Sequence, residues 1–104
     1  MNKEQNISAQ IKKQVHEVVP GAKVLLFGSR ATNTFTAESD WDILILTQHA
    51  VDKKIKDAIY EKVFPISVQI GAFINLLVIQ KNEWNTNPSY YSLRKTVDNT
   101  YIVI

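Results

Sequence analysis

A chain of 104 residues, 45% hydrophobic and 21% charged, has the size and balance of one globular domain with a single core. It contains no cysteine, which excludes a disulfide framework and thiolate metal sites and fits a cytoplasmic protein. The net charge of +2, with lysines and arginines spread among carboxylates, lacks the basic stripe of a nucleic-acid binder. No apolar run is long enough to cross a bilayer, and the polar start Met1–Asn6 does not read as a signal peptide.

In chain order, Ile7, Ile11, Val15, Val18 and Val19 recur at helical spacing and predict an amphipathic helix from about residue 6 to 19. Asn6 or Ser8 is its expected cap, and Pro20-Gly21 ends it. His16 lies on the flank of the stripe, with no ligand partner at metal-binding spacing. Lys23–Phe27 is a short apolar run bounded by Gly21 and Gly28, which predicts a buried strand. Gly28-Ser29 then opens a short turn of helix, Thr32–Ser39 is a polar loop, and Asp42–Leu46 forms a second strand.

Val51–Phe64 returns to helical spacing through Val51, Ile55, Ala58, Ile59 and Val63. Beyond Pro65, residues Ile66–Ile70 alternate like a strand but also suit a helix continuing past a kink; the kinked helix ending near Gly71 is the expectation taken. Phe73–Gln80 is apolar on both sides and predicts a covered third strand. Asn87-Pro88 resembles an N-cap followed by proline at the first helical position, giving a helix through Val97 with Tyr90, Leu93 and Val97 inward. Asp98-Asn99 is the expected turn before a terminal edge strand over Tyr101–Ile104. Trp84, Tyr90 and Tyr91 serve either a partner interface or, the expectation taken, as caps on the core. The order of elements describes an α/β (α+β) fold, with helices packed on a small mixed sheet.

One stretch carries chemistry. Strand side chains alternate faces, so Asp40 and Asp42 project together while Trp41 points away. Two carboxylates on one face suit Mg²⁺, which takes oxygen ligands. The Gly28-Ser29 turn offers backbone N–H groups to phosphate. Metal on one side and phosphate on the other together suit a nucleoside triphosphate.

Gly28-Ser29, ten residues, then Asp40-Trp41-Asp42 with an aliphatic tail, resembles the signature of the polymerase-β-like nucleotidyltransferases. With Arg30, Ala31 and Ser39 in place, the string from Val24 to Leu46 is similar to that of the minimal nucleotidyltransferases of the HEPN/MNT antitoxin type. The resemblance implies a nucleotidyltransferase fold, with residues 1–104 as a single minimal domain. It also implies transfer of a nucleotidyl group, AMP from ATP, to a tyrosine hydroxyl of a HEPN-type toxin partner. Mg²⁺ ions, two in the family, would sit on Asp40 and Asp42, the catalytic pair. Gly28, Ser29, Arg30 and Ser39 would bind the nucleotide.

Two positions depart from the family pattern. The third strand should carry an acid where this chain has Asn75, and an amide brings neither negative charge nor a base. The carboxylates Glu38, Asp57, Glu61 and Glu83 offer no clear substitute. Asn33 stands where the loop usually has glycine. The Asn75 departure motivates a second reading, a catalytically impaired binding protein that neutralises its partner by complex formation. Transfer to a small-molecule antibiotic ranks lower, because the chain is short for an added substrate domain.

Overall fold

The computed structural model describes residues 2–32 and 34–104; the Asn33 departure lies outside the described residues. Helix α1 (Lys3–Val18) begins at a capping box: Asn2 accepts from the Gln5 backbone, and the Gln5 side chain accepts from the Asn2 backbone. The cap lies earlier than the Asn6 or Ser8 expected from the apolar stripe. Its signals are polar and satisfy the first free N–H groups a full turn before Ile7 is needed for packing.

Strands β1 (Lys23–Phe27) and β2 (Trp41–Thr47) pair antiparallel, with Phe27 opposite Asp42. Strand β3 (Ile74–Gln80) joins the other side of β2 in parallel, so a crossover must intervene. Helix α2 (Lys53–Ile70) makes that crossover. It starts where the Asp52 side chain accepts from Ile55 N–H and continues through Pro65. It stops at Gly71, whose left-handed φ of 68° closes the last turn onto Ser67. Strand β4 (Ile102–Val103) pairs antiparallel with β1. The sheet order β3-β2-β1-β4 is mixed, as expected.

Alternation along the strands fills both faces. One face sends Val24, Leu26, Trp41, Ile43 and Ile45 against Ile11, Val15, Ile59 and Val63 of α1 and α2. The other sends Leu25, Phe27, Leu44, Leu46 and Ile79 against Trp84 and Val97. Each fully buried aliphatic or aromatic side chain contributes about 1.5–3 kcal/mol of transfer free energy. The second cluster is the smaller.

The chain after β3 departs from the sequence reading. Lys81–Thr86 is a short helix, α3, in a stretch to which the sequence assigned no element. Asn87 does cap, accepting from Ser89 N–H, but it opens a 3-10 turn over Pro88–Tyr90. The helix proper, α4, runs Tyr91–Thr100 and contains Asp98-Asn99, expected to be a turn. Trp84 is buried and packs on Tyr90 at 5.8 Å between centroids, so these two cap the core, whereas Tyr91 is exposed. His16 is satisfied at its Nε2, 2.8 Å from the Ala22 carbonyl, and His49 is exposed. Among the described residues no helix is long and apolar enough to cross a membrane.

Candidate active site

The acids stand where β2 begins. Trp41 turns into the core, 1% exposed, and its backbone N–H donates to the Phe73 carbonyl at 2.9 Å. That bond locks the start of β2 to the start of β3, and the parallel register sets Asp42 beside Asn75. Asp40 and Asp42 are therefore left on the opposite face, as the alternation predicted. Asn75 Nδ2 donates to Asp40 Oδ2 at 3.3 Å and to Asp42 Oδ1 at 3.2 Å. Two carboxylate oxygens converge on one amide nitrogen. Asp40 and Asn75 are exposed and Asp42 is half-buried, so water and solutes reach the cluster.

Gly28 forms the floor. Its φ of 74° lies in the region that L side chains rarely adopt, and a Cβ there would collide with Asp42 Oδ2. Glycine thus lets the backbone lie directly against the carboxylate. The element it opens is a single 3-10 turn over Ser29–Ala31, closed by Ala31 N–H to the Gly28 carbonyl. Gly28 and Ser29 are both half-buried beside the acids.

Arg30 does something the sequence reading did not foresee. Its side chain is buried, and its Nε and Nη2 donate to the Ser39 carbonyl at 3.0 and 2.8 Å. Nη1 meets Glu4 Oε2 of α1 at 3.0 Å. The guanidinium lies over the rings of Phe35 and Trp41, 4.9 and 4.6 Å from their centroids. A planar five-donor fork is suited to gather carbonyls, a carboxylate and two aromatic faces at once. Arg30 thereby holds the residue immediately before Asp40. Ser39 adds a second tie, its hydroxyl accepting from Thr36 N–H at 2.9 Å. The structure thus brings Asp40 and Asp42 together at Asn75 and sets Gly28 against Asp42, with Ser29 next in the chain and Arg30 bound to the Ser39 carbonyl in the loop. A signal for Arg30 existed in the aromatics Phe35 and Trp41 nearby in sequence, but only the fold shows that they sandwich it.

The donor set suits an oxygen-loving cation. Asp40 and Asp42 present oxygens to a shared point, and Asn75 can turn its carboxamide to present oxygen there. Among the described residues no group of three or more His, Cys, Asp or Glu is placed to hold a metal. The other carboxylates explain why. Asp57 pairs with Lys53 on α2 at 2.6 Å, and Glu83 follows β3 on α3, roughly 17 Å along the strand direction from Asn75.

The mixed four-stranded sheet flanked by helices is a fold shared with two solved structures. One is a crystal structure of a toxin-antitoxin with AMP-PNP, with a TM-score of 0.66 and 19% identity over 91% of this chain and 69% of that one. The other is spectinomycin adenyltransferase AAD(9) from Enterococcus faecialis, solved with ATP and spectinomycin. It has a TM-score of 0.67 and 20% identity over 88% of this chain but 44% of that larger one. The chain belongs to the nucleotidyltransferase domain family, whose model matches residues 8–96. No curated protein sequence matches it.

Proposed function

We propose that the protein is a Mg²⁺-dependent nucleotidyltransferase that moves AMP from ATP to a tyrosine hydroxyl of a partner HEPN-type toxin, acting as its antitoxin in the cytoplasm as a minimal single domain. The observation that carries the reading is the convergence of Asp40 and Asp42 on Asn75, with the Gly28 backbone against Asp42. The toxin-antitoxin neighbour supports a protein partner, and the open acid pair supports a bulky acceptor. Asp40 and Asp42, with the Asn75 amide oxygen, would hold Mg²⁺, which offsets the charge that builds on phosphate oxygens during transfer. Gly28 and Ser29 would receive the triphosphate on their backbone N–H groups, and Arg30 and Ser39 would fix the loop that aims Asp40.

In the transfer the tyrosine oxygen bonds to the α-phosphorus as the bond to the β-phosphate's bridging oxygen breaks. Pyrophosphate leaves. Asn75 has no basic atom for the hydroxyl proton, so Asp40 or Asp42 takes it. Incubation with α-labelled ATP, Mg²⁺ and a HEPN protein should label a partner tyrosine, and Asp42→Asn should abolish the label. Tight complex formation without any label would remove the enzymatic half.

One observation favours the second reading, a binding protein with an impaired site. The Asn75 amide neutralises part of the acid pair's field from the place where a third acid would stand. In that case Asn75→Asp should raise transfer by orders of magnitude. Equal rates in the two proteins would dismiss the impairment.

A further inference from the structure

Helix α2 has two apolar faces, and only one is covered. Ile59, Val63 and Ile66 pack into the core. Tyr60, Phe64 and Val68 form a second stripe at i, i+4 and i+8, with exposures of 47%, 66% and 65%. Phe73, 76% exposed, stands on the facing wall. Together they line an open groove of about 760 Å³ with Asp57 and Glu61 among its walls. The groove is bounded by Phe73, Ile74 and Leu76 at the start of β3, the end of the strand that also carries Asn75, whose side chain alternates onto the other face of the sheet.

We propose that this groove docks an amphipathic helix of the partner protein, with an apolar stripe flanked by Lys or Arg. The inference deepens the partner-directed reading, on which it rests for the acceptor it would deliver. The four apolar side chains expose roughly 500 Å². That lies toward the upper end of the roughly 300–600 Å² of the largest apolar patch on a typical monomer, a patch that is often functional, and is more than half of the ~800 Å² each partner gives to a standard interface. Side chains that stand so far out of the surface are walls for another protein to cover, not the enclosed lining of a small-molecule pocket.

Two features select a basic helix. The edge strand β3 is guarded, because Tyr60 Oη donates to the Leu76 carbonyl at 2.8 Å, so an added strand would have to break that bond. A helix needs no such backbone groups and matches the i, i+4, i+8 stripe. The charged residues of the groove lining are Glu61 and the Lys53-paired Asp57, with no lysine or arginine among them, so a second copy joined groove to groove would bring acids and no compensating cation. Lysine or arginine flanking a partner's stripe would meet those acids instead.

The test uses helical peptides of about 18 residues, selected by display on the full chain and measured by fluorescence anisotropy. Selected peptides should carry apolar residues at i, i+4 and i+7 flanked by Lys or Arg. Phe64→Glu and Val68→Glu should each weaken binding at least tenfold while the circular dichroism spectrum stays unchanged, as befits exposed positions. Binding indifferent to both substitutions, selection of acidic or extended peptides, or self-association abolished by Phe64→Glu would overturn the proposal. Labelled-ATP transfer to the HEPN protein is measured separately with the same variants. Peptide binding without transfer by the native chain would sink only the transfer reading, whereas transfer undiminished in Phe64→Glu would sink only the docking surface.

Discussion

Replacing Asn75 with aspartate converts a bridge into a repulsion, and the size of the effect follows from the geometry. The substitution is isosteric, so an oxygen takes the place of Nδ2, 3.3 and 3.2 Å from oxygens of Asp40 and Asp42. Each new like-charge pair costs about 5 kcal/mol at an effective dielectric of 20 and about 1.3 kcal/mol in water. Asp40 and Asn75 are exposed, which places the cost near the lower figure, at about 2–4 kcal/mol for both pairs together. Two amide-to-carboxylate hydrogen bonds are lost as well, though water replaces them at an exposed site. At about 4 °C per kcal/mol for a chain of this size, Asn75→Asp should melt about 8–16 °C below the native protein in EDTA. Millimolar Mg²⁺ should restore most of that difference and stabilise the native protein far less. Thermal denaturation with and without Mg²⁺ reads both numbers. Equal melting temperatures in EDTA would mean that Asn75 does not lie between the acids.

Two further substitutions test the frame around the pair. Gly28→Ala forces a Cβ onto Asp42 Oδ2 at a φ of 74°, so it should destabilise the protein by about 1–3 kcal/mol and abolish transfer; unaltered transfer would remove Gly28 from the site floor. Arg30→Lys keeps the charge but loses the fork that holds the Ser39 carbonyl and Glu4 together. It should cost about 2–4 kcal/mol in denaturant unfolding, with loss of transfer that added ATP does not recover, whereas a direct phosphate ligand would show chiefly a raised KM.

The three longer strands and both long helices were legible because apolar periodicity reports burial, and burial is what fixes those elements. Asn75 was singled out by the family resemblance alone, and the parallel register then sets it beside Asp42. Helix α3 escaped because Lys81–Thr86 offers one apolar residue, Trp84, and no period. Asp98-Asn99 reads as a turn by composition, yet Val97 is anchored in the core and carries the helix past it. The start of α1 was hidden in polar capping residues. Arg30 was assigned to the nucleotide by the family resemblance. Its burial between Phe35, Trp41, Glu4 and the Ser39 carbonyl depends on parts of the chain up to 26 residues away, which no local pattern reveals.

The parallel register that sets Asn75 beside Asp42 has an evolutionary consequence. The backbone at that corner is held by the ladder and by the Trp41–Phe73 hydrogen bond, not by the Asn75 side chain. Amide and carboxylate have the same shape, and their codons differ by a single base. A carboxylate-complete triad therefore lies one point mutation away on an unchanged scaffold.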